Sequence, residues 1–113
     1  MKKVSLSDCK PYSAPKHFDM KALRLQGKDE TGIQKFWVGL SYFLPGGGIE
    51  YGGEEVSNDK VYLVLEGEVV VKDKAGKEFV LGPMDSLYIG PNEGRSLINR
   101  GSKPAAMLVI ANY

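Results

Sequence analysis

Hydrophobic and polar residues alternate in short runs that glycine and proline separate. Between Met20 and Leu25 the apolar residues Met20, Ala22, Leu23 and Leu25 are interrupted by Lys21 and Arg24, an approximate alternation that is typical of a half-buried β-strand. A longer strand is predicted over residues 33–44. Its two faces consist of Phe36, Val38, Leu40, Tyr42 and Leu44 and of Trp37, Gly39, Ser41 and Phe43. We assign Tyr42 and its face to the interior of the fold and the Trp37 face to its outer surface.

The second half of the chain repeats this pattern at short intervals. Strands are predicted at Val61–Leu65, Val69–Val71, Glu78–Leu81, Asp85–Gly90, Arg95–Asn99 and Ala105–Ala111. No stretch of ten or more residues keeps a helical period. The polar residues 1–16 are predicted to form an N-terminal arm, and residues 17–113 a single domain. Many short strands between Gly/Pro turns predict an all-β fold, a small antiparallel β-barrel or double-sheet jelly roll.

The composition indicates which binding partners and which cellular compartment to expect. The 113 residues carry a net charge of +1, which gives no reason to expect nucleic acid or an anionic membrane as partner. The single cysteine, Cys9, excludes an intrachain disulfide and suits a reducing compartment. The N-terminus lacks the apolar segment of a signal peptide, and no apolar run has membrane-spanning length. We therefore expect a cytoplasmic protein.

One stretch, Pro45 to Glu68, organises the chain. A Pro-Gly-Gly-Gly turn and an acidic loop lead into the apolar run Val61–Leu65, which ends in Glu66-Gly67-Glu68. This stretch resembles the first motif of the cupins, in which a His-x-His pair and a Glu precede a strand closing on Leu-Glu-Gly-Glu. Farther on, Asp85, Ile89-Gly90-Pro91 and Asn99 resemble the second cupin motif. The resemblance covers about Pro45 to Ala111 and implies a cupin barrel, commonly a homodimer.

The chain departs from the family pattern at every metal-binding position. Glu54-Glu55-Val56 replaces the His-x-His pair, Lys60 replaces the ligand Glu, and Arg95 replaces the second-motif His. The chain's single histidine, His17, cannot supply the two or three imidazoles of such a centre. Lys60 and Arg95 would place positive charge where a cation should bind. We therefore expect a degenerate metal site without metal or other cofactor.

The replacements suggest an anion site instead. Strand alternation places Tyr62 on the same face as Lys60, and Arg suits carboxylates because its planar fork donates two parallel hydrogen bonds. We predict that Lys60 and Arg95 hold a small carboxylate metabolite in the barrel. Tyr62, Tyr42 and Tyr88 are expected to contact the rest of the molecule. If the protein is an enzyme, the resemblance implies isomerisation, elimination or decarboxylation, with Glu54 or Lys60 as the acid–base group.

Three alternatives stay open. Lys60 and Arg95 could form ion pairs with nearby carboxylates and seal a redundant pocket. The domain could be a sensor or accessory module that binds without turnover. A hard metal ion could bind through atypical ligands, namely Glu50, Glu54, Glu55, Asp59 and His17. Trp37 and Phe43, assigned to the outer face, are expected to meet a second subunit, which makes a homodimer the expected assembly.

Overall fold

The structure is a computed structural model that describes all residues 1–113. After a 3-10 turn at Leu6–Asp8 come β1 (Pro11–Tyr12), β2 (His17–Gln26), α1 (Lys28–Thr31), β3 (Phe36–Gly52), β4 (Lys60–Glu66), β5 (Val69–Asp73), β6 (Glu78–Leu81), β7 (Ser86–Ile89), β8 (Arg95–Ile98) and β9 (Ala105–Asn112). The all-β prediction is confirmed. The one α-helix is a single turn, and no helix has the length and apolarity to cross a membrane.

The longest strand, β3, joins the two halves of the barrel. Its first half pairs with β9 from Phe36 to Phe43, and its second half pairs with β8 from Gly48 to Gly52. Between them the chain bends at Gly46, whose φ of 83° is readily adopted only by glycine. The Pro-Gly-Gly-Gly segment is therefore a bend within one strand, and the prediction of a turn between two strands was wrong.

The antiparallel strands run in the order β6-β5-β8-β3-β9-β4-β7, and β2 adds to β3 along both of its halves. The segment predicted as an arm joins this sheet, because Pro11 and Tyr12 pair with Leu23 and Ala22 of β2. The sheet therefore folds around a common interior as an antiparallel barrel.

The core fills the inner face of the barrel. Fully buried side chains from opposite walls meet there, including Phe43, Tyr62, Val69 and Met107. The last strand, β9, is buried along most of its length on both faces, as its apolar sequence predicted. This packing holds β4 and β8 in fixed positions, and their first residues are Lys60 and Arg95.

The faces of β3 are the reverse of the prediction. Phe43 is completely buried in the core, and Trp37 packs against the core, so neither lies on the outer surface. Tyr42 pairs with Lys21 and Ala106 on the outer face. Gly39 on the Trp37 face makes room for an inward side chain, because a Cβ there would lie 3.0 Å from the Tyr12 hydroxyl.

Candidate functional site

Lys60 begins β4 and points into the barrel. Its side chain shares the inner face with Tyr62 and Val64, and the residue is only 9% exposed. Every other lysine of the chain is exposed. Burial, repulsion from Arg95 and a smaller opposing attraction from Glu55 together lower the pKa of Lys60. The structure thus contains one buried amine, held in a position where carrying charge is costly.

Arg95 begins β8 and faces the same interior. Its Nε donates to the Tyr62 hydroxyl at 2.9 Å, and its Nη1 donates to the Gly52 carbonyl at 3.1 Å. The neighbouring Gly53 has a φ of 97°, and a Cβ there would approach Nη1 to 3.1 Å. These contacts fix the guanidinium plane while Nη2 makes no hydrogen bond within the chain.

Neither cation has a carboxylate partner. The three ion pairs of the protein join Lys72 to Glu78, Lys74 to Glu54, and Arg100 to Glu78. Glu55 influences Lys60 but does not come within ion-pair distance. The alternative in which Lys60 and Arg95 are sealed by carboxylates is therefore wrong. Two like charges remain uncompensated in the barrel, an arrangement that favours an anion between them.

His17 also belongs to this interior. It pairs across β2 and β3 with the core residue Ile49, and its Nδ1 lies 2.7 Å from the Pro15 carbonyl oxygen. Burial lowers the pKa of His17, as does the repulsion from Arg95, and the hydrogen bond to Pro15 offsets only part of this. A neutral imidazole is thus favoured beside the guanidinium.

Sequence reasoning missed a third cation, Arg24. Its guanidinium lies between the Tyr12 and Trp37 rings, 4.6 and 4.2 Å from their centroids, and its buried Nε has no hydrogen-bond partner. Burial raises the pKa of Tyr12, although Arg24 lowers it in part. Inward alternation of Met20, Ala22 and Arg24 could have revealed Arg24, but nothing in the polar N-terminal sequence indicated Tyr12.

Two of the three predicted tyrosines lie away from this interior. Tyr42 is on the outer face, as described above. Tyr88 is 60% exposed and donates to Asp59 at 2.6 Å, which raises the pKa of Tyr88. The alternation Leu87-Tyr88-Ile89 in β7 indicated this orientation, because Ile89 is a core residue. Only Tyr62, of the three predicted tyrosines, is placed beside Lys60 and Arg95.

Glu54 lies in the loop after β3 and is exposed. It accepts a hydrogen bond from Tyr51 at 2.6 Å and pairs with Lys74 at 3.3 Å. These two partners lower the pKa of Glu54, and the Glu54 hydrogen bond raises the pKa of Tyr51 to about 12. The carboxylate is therefore already engaged outside the barrel, and not beside Lys60.

The residues at the family's metal-binding positions do not fit a metal centre. Val56 carries no donor, Lys60 and Arg95 are cationic, and Glu54 faces outward. No three His, Cys, Asp or Glu side chains come together as a group that could hold a metal ion. The loop carboxylates and His17 thus do not converge on one site, which removes the structural basis for the atypical metal hypothesis.

A small cleft opens beside Arg95 on the β5 and β7 side. Its volume is about 80 Å³, and two carboxylates, Asp73 and Glu93, line it together with Phe79 and Tyr88. Glu93 accepts a hydrogen bond from the Gly90 amide at 2.6 Å. The cleft therefore combines carboxylates with aromatic surface, unlike the cationic interior that adjoins it.

The fold and the motif positions agree with a family comparison. The model of the family described as "Cupin domain" matches residues 40–111, which is more than half of the chain. The chain belongs to the cupin family. Strands β1 and β2 precede the matched residues.

The chain is also similar to individual known proteins. A protein named Beta-D-galactosidase Rv1717, from Mycobacterium tuberculosis, is 40% identical over all of this chain and 95% of its own length. Among solved structures, the polyketide cyclase RemF from Streptomyces resistomycificus superimposes with a TM-score of 0.86 at 20% identity, covering 99% of this chain and 79% of that one. A predicted oxalate decarboxylase from Thermotoga maritima gives 0.80 at 18% identity, with 98% of both chains covered. At these identities the two structures support the fold alone.

Proposed function

We propose that this cupin binds a small carboxylate metabolite inside the barrel without a metal ion. The observation that supports this most is the uncompensated pair, Lys60 and Arg95, on the inner faces of β4 and β8. A metal-dependent cupin would present anionic or neutral ligands at these positions. Here the same positions present two cations, so the ligand of matching charge is an anion.

The geometry favours a carboxylate in particular. Tyr62 and the Gly52 carbonyl hold the Arg95 guanidinium in one plane, which leaves the Nη2 edge to donate to a planar anion. Lys60 adds a second positive charge without demanding a fixed direction. Core side chains such as Phe43 and Leu97 enclose the rest of the interior, so the ligand is expected to be small.

A thermal-shift titration with small carboxylic, phosphorylated and sugar acids tests this proposal. Saturation at a hundred times the dissociation constant stabilises the folded protein by about 2.7 kcal/mol. We expect carboxylates to raise the Tm of the wild type and not of Arg95→Met. Lys103→Met, which removes an exposed lysine, is the matched control and should respond like the wild type. Equal shifts in all three proteins would refute binding at the barrel.

Turnover separates an enzyme from a sensor or accessory domain. If the bound acid is converted, Lys60 is the acid–base group that the structure favours over Glu54, because Lys60 alone is inside the barrel. Product formation from the bound acid should then disappear in Lys60→Met and persist in Glu54→Gln. A bound acid that remains unchanged in the wild type would favour the sensor.

A second candidate function is glycoside hydrolysis. The relative named a β-D-galactosidase supports it, and so does the cleft in which Asp73 and Glu93 lie with the aromatic residues Phe79 and Tyr88. Glycosidases use two carboxyl groups, one as the acid and the other as base or nucleophile. The reaction passes through a positively charged transition state. The two carboxylates of the cleft would stabilise that charge, whereas the cations Lys60 and Arg95 would repel it.

Hydrolysis of a nitrophenyl β-D-galactoside tests the second candidate. If the cleft is the site, Asp73→Asn and Glu93→Gln should each lower kcat by a factor of roughly 10² or more. Glu78→Gln, which changes an exposed carboxylate outside the cleft, should leave the rate unchanged. Activity that survives both cleft variants, or that is absent in the wild type, would reject this candidate.

The assembly we propose is a homodimer that buries the outer face of β3, β9, β4 and β7. Exposed apolar residues on this face include Leu44, Leu65 and Tyr88, and an apolar surface rimmed by polar residues is typical of a subunit interface. Leu65→Glu should convert the dimer to a monomer in light scattering after size exclusion. A monomeric wild type would contradict the proposal. We expect this dimer in the cytoplasm, where Cys9 stays reduced.

A further inference from the structure

Lys60 has properties that a structural or simple anion-binding lysine does not need. It is the one lysine of the chain that is not exposed, it lacks an ion-pair partner, and it shares the interior with Arg95. A lysine that only attracts an anion does not need to lie beside a second cation, where keeping its own charge is costly. Burial beside a second cation instead favours the neutral amine, which is the nucleophilic form.

We infer that Lys60 forms a reversible imine with the carbonyl carbon of a 2-oxo acid whose carboxylate binds to Arg95. This inference rests on the proposed carboxylate site and names both the class of ligand and the reaction. A 2-oxo acid carries its carbonyl next to its carboxylate, so fixing the carboxylate at the guanidinium brings the carbonyl close to other inner-face groups. Lys60 is the only amine among those groups.

The reaction balances without an oxidant, reductant or metal. The Lys60 nitrogen attacks the carbonyl carbon, a C–N bond forms as the C=O π bond breaks, and one proton passes from the nitrogen to the oxygen to give a carbinolamine. A second protonation of that oxygen lets it leave as water, and loss of the remaining N–H proton gives the neutral imine. The sum is one amine and one carbonyl giving one imine and one water.

Two inner-face side chains, Tyr62 and His17, are suited to donate and accept the protons of this reaction. The Tyr62 hydroxyl is fully buried on the inner face of β4 and accepts from Arg95 Nε, so its own proton remains available to the carbonyl oxygen. His17 lies near Arg95, where burial and repulsion favour the neutral ring that accepts a proton. Both side chains are positioned by backbone pairing and not by flexible loops.

Reductive trapping tests the inference. The protein is incubated with pyruvate and sodium cyanoborohydride, and peptide mass spectrometry locates the reduced adduct. We expect modification at Lys60 at least tenfold faster than at any exposed lysine. Acetone, which replaces the carboxylate with a methyl group, should not give this preference. Arg95→Met should remove the preference, and Lys103→Met should keep it.

Different outcomes separate this inference from the proposed function. If pyruvate raises the Tm but the adducts are spread over exposed lysines, the carboxylate site stands and the imine is refuted. If no 2-oxo acid or other carboxylate raises the Tm, both the carboxylate site and the Lys60 imine are refuted. Lys60→Met, which retains the apolar stem, is expected to fold and to lose only the Lys60 adduct. Equal labelling of the other lysines in that variant serves as its internal control.

Discussion

Asn99 offers the sharpest test of how the barrel holds its site. The residue follows β8 and is 1% exposed. Its Nδ2 donates to the carbonyls of Phe43 at 3.1 Å and Lys103 at 2.8 Å, and its Oδ1 accepts from the Gly101 amide at 3.0 Å. One side chain therefore ties the bend of β3 to the turn between β8 and β9, and we predict that Asn99→Ala is strongly destabilising.

The expected loss of stability in Asn99→Ala depends on whether water can replace the side chain at each of its three hydrogen-bond partners. The Phe43 carbonyl belongs to a completely buried residue, so its loss costs about 1–3 kcal/mol. Gly101 and Lys103 are exposed, and water can replace their bonds at a cost of about 0.5–1.5 kcal/mol each. The sum centres on about 4 kcal/mol, a large part of the roughly 5–15 kcal/mol that stabilises a typical domain.

Urea unfolding measures this loss directly. We expect the midpoint to fall with the m-value unchanged, and the Tm to drop by roughly 16 °C. Asn99→Asp should be no more stable than Asn99→Ala, because a carboxylate cannot donate hydrogen bonds to the two carbonyls. Arg100→Ala, which removes an exposed ion pair with Glu78, should cost no more than about 1 kcal/mol. A loss below about 1 kcal/mol in Asn99→Ala would refute the assigned role of these bonds.

Three further predictions concern charge and backbone. Lys60→Met should raise stability by about 1–3 kcal/mol in urea unfolding, because it removes a buried charge without a partner; a less stable variant would contradict this. Since the pKa of His17 lies below its ordinary value, the unfolded chain binds the proton more readily. The contribution of His17 is thus fully present above about pH 6.5 and is lost as the pH falls. The Tm advantage of wild type over His17→Gln should therefore shrink between pH 7.5 and 5, and a constant difference would argue against it. Gly67→Ala should cost at least about 2 kcal/mol in the same unfolding assay, because φ is 76° and the Cβ would lie 2.7 Å from the Pro104 carbonyl oxygen. Gly76→Ala, with similar φ but open space, should cost less, and equal losses would refute the steric argument.

The strand pattern predicted most of the fold, but it did not predict which side of each strand faces inward. In β4 both faces carry apolar residues, Tyr62 and Val64 on one and Val61 and Leu63 on the other, and only Tyr62 and Val64 are core residues. In β3 both faces are apolar, so alternation alone does not assign the interior. Gly39 is small because Tyr12 packs beside it, and that contact depends on pairing between segments far apart in sequence.

Only part of the candidate site could be predicted, because the rest depends on pairing between segments that are far apart in sequence. The positions of Lys60 and Arg95 followed from their places in the two cupin motifs. Arg24 and His17 lie on β2, outside both motifs, and enter the interior only because β2 pairs with β3. The outward direction of Tyr88 could have been deduced from its neighbours in β7. Sequence patterns thus located the strands that carry the site, while pairing partners decided which side chains meet.

Isothermal titration with the carboxylate that gives the largest thermal shift tests the central claim most directly. The uncompensated charges of Lys60 and Arg95 predict one site per chain, with affinity lowered at least tenfold, about 1.4 kcal/mol, in both Lys60→Met and Arg95→Met. Lys103→Met should bind like the wild type. Unchanged affinity in the two barrel variants would place the carboxylate elsewhere and contradict an anion site between Lys60 and Arg95.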